Sequence, residues 1–120
     1  WNVEGIDLYD KHRFFEVQFE QLNEFIDDIA ERIRILRHYT PASLSTFLKL
    51  THLAEASRNN NDSIGFINEL LLDHESIILN LRKNINRFAN EFNDLGTSDF
   101  ITSLMQEHEK MAWFLRAHNK

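Results

Sequence analysis

The sequence predicts an all-α protein in which long helices pack side by side as a bundle. Its 120 residues contain only three glycines and one proline, and so few helix breakers favour long helices over a strand-rich fold. Apolar residues also recur every three or four positions over long stretches, as on one face of an amphipathic helix. The length suits one domain, so we expect residues 1–120 to share a single core.

The first long helix is predicted over residues 9–38, after a loop that contains Gly5 and two possible capping residues, Asp7 and Asp10. Pro41 prevents the helix from continuing. The apolar positions predict its core face, and they are Phe15, Phe19, Leu22, Ile26, Ile29, Ile33 and Leu36. The next segment, LSTFLKLTHLAEA at 44–56, predicts a short helix of two or three turns in the long central connection.

Two further long helices are predicted, over residues 62–93 and 98–117, after a polar turn with the sequence RNNND. Gly96 reads as the C-terminal signal of the first of these helices, and Thr97 or Ser98 as the cap of the second. Long helices of this kind pack as near-parallel bundles. Three long helices make an incomplete bundle, so we expect that a fourth helix is missing from the sequence.

The composition excludes several classes of function. The absence of cysteine excludes disulfides, thiolate metal sites and cysteine nucleophiles. A net charge of −6 repels phosphate backbones, so nucleic-acid binding is disfavoured. No apolar run is long enough to cross a bilayer and no leader is visible, so we expect a cytoplasmic protein that does not contact a membrane.

Two pairs of potential metal ligands lie beside the apolar stripe of the first helix. His12 is four residues before Glu16, and Asp27 is four residues before Glu31, so the members of each pair lie one turn apart. At about 100° per residue, all four occupy one sector of roughly 100°. The same spacing is also typical of an ordinary exposed helix face, in which Glu16 would pair with Arg13 and Glu31 with Arg34.

The two pairs cannot share an ion within one chain, because their centres lie about 22 Å apart along the helix axis. A second copy that runs antiparallel across a two-fold axis would bring them together. His12 and Glu16 of one chain would then face Asp27 and Glu31 of its partner, at two identical sites on either side of a dyad near Leu22. Imidazole with carboxylates suits iron, manganese or zinc.

Other candidate sites have less support. Bundle proteins with a di-iron centre inside one chain use the motif Glu-x-x-His, and no histidine here has an acidic residue three positions before it. His74 and His108 occupy apolar positions of their helices, which predicts buried, hydrogen-bonded core residues rather than ligands.

At this point the sequence resembles the Dps family, the ferritin-like "DNA-binding proteins from starved cells". The resemblance covers nearly the whole chain and depends on five segments. These are WNVEG at 1–5, HRFFE at 12–16, DDIAERI at 27–33, LLLDHESIILNLR at 70–82 and EKMAWFLRA at 109–117. It implies a ferritin-like four-helix bundle, with most of its first helix upstream of Trp1. It also implies a further histidine ligand directly before Trp1.

The family's ferroxidase site takes a histidine and a carboxylate from one subunit, and an aspartate and a glutamate from its two-fold partner. Carried over residue by residue, these ligands fall on His12, Glu16, Asp27 and Glu31, although many members have aspartate where this chain has Glu16. The resemblance therefore implies an enzyme that oxidises Fe(II), preferably with hydrogen peroxide, and stores ferric iron in a hollow twelve-subunit shell. Trp1 would lie near the site.

The resemblance further implies an iron-entry pore on the three-fold axes, lined by acidic residues for which Asp94 and Asp99 are the candidates. Some members bind DNA through a lysine-rich tail, which this sequence does not contain, so we expect no direct DNA binding. The alternative is a non-catalytic helical shell or interaction module without a competent iron site, because the upstream histidine is not part of the chain.

Overall fold

The computed structural model describes residues 1–55 and 60–120, and these residues form three long helices and one short one. The long helices are α1 (Leu8–Ile35), α3 (Ser63–Asn86) and α4 (Leu95–Ala117), and the short helix α2 spans Leu44–Leu50 in the connection between α1 and α3. A π-helical turn, Arg87–Glu91, extends α3 towards α4. The predicted all-α bundle is therefore confirmed, as is the short helix in the central connection.

Helix α2 is shorter than predicted, because regular structure ends at Leu50 and residues 51–55 are not helical. Ser43 caps its first turn by accepting a hydrogen bond from the backbone N–H of Thr46. The last residue of the predicted helix and the start of the predicted RNNND turn fall in 56–59, outside the described residues.

Helix α4 begins three residues earlier than predicted, and the roles assigned to Gly96, Thr97 and Ser98 were wrong. Asp94 is the cap, because its carboxylate accepts hydrogen bonds from the backbone N–H of Thr97 at 2.9 Å and from the Thr97 hydroxyl at 2.6 Å. Gly96 lies inside the first turn of α4. A Cβ at this position would lie 3.0 Å from Nη2 of Arg32, so the glycine makes room for a close approach of α1.

The core is built mainly between α3 and α4. Their buried apolar side chains, together with Val3 from the N-terminal segment, are Ile67, Ile78, Ile101, Leu104, Met111, Ala112 and Leu115. Helix α1 contacts α4 through both aromatic and polar side chains, and the ring centroids of Phe25 and His108 lie 5.4 Å apart. Arg32 donates from Nε and Nη2 to Oγ1 of Thr97, at 3.1 and 2.8 Å, and Gln21 donates to the Glu107 carboxylate at 2.8 Å.

The apolar stripe of α1 is not the buried face that the sequence predicts. Phe19 and Ile26 remain 68% and 63% exposed, whereas the polar Gln18 is 4% exposed and is the buried residue of this helix. The reason is that α3 and α4 cover only one edge of the stripe, and no described segment packs on the rest of it. Helix α1 therefore presents an apolar strip to solvent in the single chain.

None of the helices within residues 1–55 and 60–120 has the length and the apolar character that spanning a membrane requires.

Candidate metal centre

The four candidate ligands lie on the side of α1 that points away from the rest of the chain. Counted from the buried Gln18, His12 and Glu16 lie at roughly 120° and 160° around the helix, and Asp27 and Glu31 at roughly 180° and 220°. All four side chains are exposed. Within residues 1–55 and 60–120, the packing therefore leaves these four side chains exposed, and the N-terminal segment borders two of them, His12 and Glu16.

His12 and Glu16 open onto a groove of about 370 Å³ that Trp1, Val3, Phe15 and Phe19 also line. The N-terminal segment is held in place beside α1, since Val3 is buried and the backbone N–H of Glu4 donates to the carbonyl of Asn61 at 2.8 Å.

Two further features fix the turn that leads from this segment into α1. Gly5 has a φ of 126°, a conformation that side-chain-bearing residues rarely adopt. Asp7, the first residue before α1, makes no capping bond and instead accepts a hydrogen bond from the hydroxyl of Ser63 at 2.6 Å. Trp1 is fully exposed and lines the same groove as His12 and Glu16, and its place near a metal site stays a prediction.

Of the two ion pairs expected on an ordinary solvent-exposed helix face, Glu16–Arg13 and Glu31–Arg34, the first is present. Nη1 of Arg13 lies 3.5 Å from Oε2 of Glu16, with both side chains largely exposed, so this pair contributes little stability. Arg34, the other expected cation, donates to the carbonyl of His38 at 3.0 Å and lies over the ring of Tyr39. Glu31 lines a shallow depression beside these residues.

Within the described residues no three His, Cys, Asp or Glu side chains converge as a metal site would require. This agrees with the spacing along α1, which separates the two pairs by about 22 Å. The described part of the chain thus carries two pairs of candidate ligands on one exposed face, and each pair alone offers only two side chains.

The two acidic residues predicted to line a pore both lie at the start of α4, but they differ in their surroundings. Asp94 is engaged within the chain, where hydrogen bonds from the side chain and backbone of Thr97, with a smaller effect of Arg32, lower the pKa of its carboxyl. Asp99 is exposed. The three-fold pore stays a prediction, and Asp99 is the better placed of the two to meet a cation.

The predicted core histidines form a buried pair between α3 and α4. Nδ1 of His74 lies 2.9 Å from Nδ1 of His108, and both side chains are buried, which confirms the prediction for these two residues. The burial of Gln18 was not predicted. Gln18 is four residues after Phe14 and seven before Phe25, so the three share a face of α1, but only the structure shows that the two phenylalanines contact His118 and His108 at α4.

The chain is similar to ferritin-like proteins over its whole length. The ferritin-like domain family model matches residues 1–120. A low temperature-induced protein of Nostoc is 43% identical over 117 residues, and the match covers 98% of this chain and 65% of that protein. The DNA protection during starvation protein of Helicobacter pylori is 30% identical over 118 residues, covering 98% of this chain and 81% of that protein. The chain belongs to the Dps family of ferritin-like proteins.

Solved structures agree with this assignment. A Dps protein from Vibrio cholerae, described as a member of a broad superfamily of ferritin-like diiron-carboxylate proteins, superposes with a TM-score of 0.92 at 29% identity. The superposition covers all of this chain and 74% of that one. A Dps protein from Bacillus brevis has the same fold, with a TM-score of 0.92 at 24% identity, over the whole chain and 79% of its own length. The chain spans about 65% of the length of its Nostoc relative.

Proposed function

We propose that this chain is the subunit of a Dps-type mini-ferritin, a ferroxidase that oxidises Fe(II) at sites between subunits and stores the ferric product in a hollow shell. Hydrogen peroxide is the preferred oxidant in this proposal, and protection against oxidative damage is the result. Membership of the ferritin-like Dps family supports iron storage as the general role.

The observation that carries the proposal is the position of His12, Glu16, Asp27 and Glu31 on one exposed sector of α1, opposite the face that packs on α4. Ligands meant to serve within one chain would point into the bundle, as they do in di-iron bundles. Here they point outwards in two matched pairs. A partner is needed to complete each half-site, and antiparallel docking of two α1 helices supplies it.

The two half-sites would contribute different chemistry. His12 supplies a neutral imidazole, and Asp27 or Glu31 of the partner supplies a carboxylate able to bridge two iron ions. Glu16 binds more weakly, because Arg13 competes for its carboxylate in the single chain. Trp1 lines the same groove as His12, which supports the proposal that it donates an electron when the oxidant exceeds the supply of Fe(II).

The electrons balance with peroxide as the oxidant. Two Fe(II) ions give one electron each to one peroxide molecule, its O–O bond breaks, and two protons complete two water molecules. Because both electrons arrive at one site, no hydroxyl radical is released. A site that holds two Fe(II) ions therefore has an advantage over Fe(II) in solution, where each ion transfers its electron separately.

Fe(II) oxidation by limiting peroxide tests this function directly. We expect the intact protein to consume two Fe(II) per peroxide while a spin trap reports little hydroxyl radical. A control in which Zn(II) is added first should slow the reaction, because zinc accepts the same imidazole and carboxylate ligands. A one-to-one stoichiometry with abundant radical, as for free iron, would contradict the proposal.

The alternative, a non-catalytic shell or interaction module, predicts a different metal titration. Calorimetry with Zn(II) in the absence of oxidant should give saturable binding of at least one ion per chain if the half-sites meet. A module without a competent site should give only weak, unsaturable binding.

The assembly proposed is a homo-oligomer, a dodecamer built from two-fold dimers, with the three-fold pore at Asp99 and Asp94. Its charge of −6 per chain would repel a polyanion from the outside, so we expect no shift of duplex DNA in a gel at low salt.

A single introduced cysteine tests the antiparallel docking. Asn23 is exposed, lies at roughly 140° in the sector of the candidate ligands and is close to the proposed dyad. The chain contains no cysteine, so in Asn23→Cys the new thiol is the only one. A disulfide requires Cα atoms about 4.4–6.8 Å apart, and two copies of residue 23 come this close only if they lie beside a common dyad. Mild oxidation is therefore expected to link two chains covalently, which a non-reducing gel detects.

Asp28→Cys is the matched control for this experiment. Asp28 is also exposed, but it lies roughly 140° around α1 from Asn23 and further from the dyad. It should remain largely unlinked under the same conditions. Equal crosslinking of both variants, or of neither, would argue against a dyad near residue 22.

A further inference from the structure

The buried pair formed by His74 and His108 joins the two helices that make up most of the core. Their Nδ1 atoms lie 2.9 Å apart, and the ring of Phe25 from α1 stacks near His108 with centroids 5.4 Å apart. His74 is 1% exposed. Its Nε2 atom is buried with no hydrogen-bond partner in the described part of the chain, and so is Oε1 of Gln18.

The contact between the two Nδ1 atoms requires one shared proton. A neutral imidazole carries a hydrogen on only one of its ring nitrogens, so one ring donates from Nδ1 and the other accepts. A second proton on this contact would give the pair one positive charge in a buried site, and with a hydrogen on both Nδ1 atoms the two N–H groups would point at each other. Burial lowers the pKa of both imidazoles, and in His74 burial, followed by the charge of His108, lowers it to about 4.

The groups around the pair do not offset such a charge. Gln18, Gln21 and Phe25 on the facing side of α1 are neutral. The nearby carboxylates on α3 and α4 are engaged elsewhere: Glu75 with Arg116 at 3.2 Å, Glu109 with Arg82 at 2.8 Å, and Glu107 with Gln21 at 2.8 Å and Lys110 at 4.0 Å. Asp73 lies beside His74 on α3, and burial followed by the charge of Glu69 raises the pKa of its carboxyl. A divalent cation would be equally poorly compensated here, which argues against a metal site.

We propose that the His74–His108 contact is an acid-sensitive latch between α3 and α4, closed while the two imidazoles share one proton and opened when the pair takes up a second. The direction follows from linkage. The unfolded imidazole binds its proton near pH 6.5, and the folded His74 only near pH 4. Stability is therefore fully present above about pH 6.5 and is lost as the pH falls towards 4.

Opening of this latch would reach the surface that carries the candidate metal ligands. Helix α1 is fastened to α4 by Arg32 and Gln21, so a loosened α3–α4 interface also releases the support of α1. The latch would act on the fold whether or not the protein oxidises iron.

The double variant His74→Asn plus His108→Asn tests the latch. An asparagine amide can replace each Nδ1 in a hydrogen bond, but it does not titrate. We expect the thermal midpoint of the unmodified protein to fall steeply between about pH 6.5 and about pH 4.5, whereas that of the double variant should fall at most half as far. The matched control is His118→Asn, because the imidazole of His118 is hydrogen-bonded to the carbonyl of Phe114, four residues before it. The thermal midpoint of this variant should fall with pH as far as that of the unmodified protein.

A loss as large in the double variant as in the unmodified protein would overturn the proposal. If the double variant does not fold, nitrogen NMR of the imidazoles in the unmodified protein decides the matter. One protonated and one unprotonated Nδ1, both unchanged between about pH 7.5 and about pH 5.5, would support the latch. Titration of both rings near their ordinary pKa would contradict it.

Discussion

Mixing two inactive variants of this protein, His12→Ala and Asp27→Ala, is expected to restore Fe(II) oxidation. Each variant alone should lose about 100-fold or more of its site-dependent rate with peroxide, since loss of even the outer partners of metal ligands costs about 10–100-fold. Each homodimer of such a variant carries the same lesion at both of its sites. A rate that recovers on mixing would therefore identify a site shared between chains.

The expected size of the recovery follows from the symmetry of the dimer. When the two variants are unfolded together and refolded at equal concentrations, about half of the dimers are mixed. In a mixed dimer one site joins the intact His12 of one chain to the intact Asp27 of the other, and the second site collects both lesions. About a quarter of all sites should therefore be intact, and the rate should recover to about that fraction.

The controls separate loss of ligands from loss of fold. Asp28→Ala removes an exposed carboxylate next to Asp27 but roughly 100° around α1, and His38→Ala removes an exposed imidazole beyond the end of the helix. Both should keep nearly the full rate. If the two single variants oxidise iron as fast as the unmodified protein, the ligand assignment is wrong; if they are inactive and mixing restores nothing, the site is not shared between chains.

The sequence was sufficient to place the candidate ligands relative to one another. The angle between His12 and Asp27 depends only on the regular geometry of a helix, and α1 is regular from Leu8 to Ile35. Their direction relative to α4 could not be predicted in the same way. It depends on which edge of the apolar stripe packs within the chain, and the burial of Gln18 in place of Phe19 shows that hydrophobicity alone gives the wrong answer.

The start of α4 shows a second limit of sequence patterns. Gly96 is a good C-terminal signal by local rules, and Thr97 and Ser98 are good caps. The structure uses Asp94 instead, because this carboxylate bonds both the Thr97 backbone and its hydroxyl while Arg32 approaches from α1. Asp94 is also a good cap by the same local rules, so several candidates were open, and the contacts of Arg32 with Thr97 and Asp94 that accompany this choice lie across 65 and 62 positions, which a local pattern does not show.

The pairing of His74 with His108 could be predicted only in part. Their places in two apolar stripes predict that both are buried, and a buried imidazole needs a hydrogen-bond partner. That each is the partner of the other depends on the register between α3 and α4, which the sequence does not specify.

Truncation of Ile67 to alanine is expected to destabilise the protein by about 2–5 kcal/mol, the usual cost of a cavity at a fully buried aliphatic position. Ile67 is 0% exposed and lies in the second turn of α3. The neighbouring turn of the same helix carries Ile64, which is 47% exposed, so the identical substitution there removes the same atoms but leaves no enclosed cavity. Its cost should stay below about 1 kcal/mol.

The pair of isoleucine variants separates packing from helix propensity, because both substitutions exchange the same two residue types within α3. Urea unfolding followed by circular dichroism measures the difference, provided that the slope of the transition is unchanged. A midpoint that falls equally in both variants would mean that α3 is buried on its Ile64 side as well, for instance by a neighbouring chain. The difference in unfolding free energy between Ile67→Ala and Ile64→Ala thus measures the contribution of burial within the chain at Ile67, beyond the change in helix propensity.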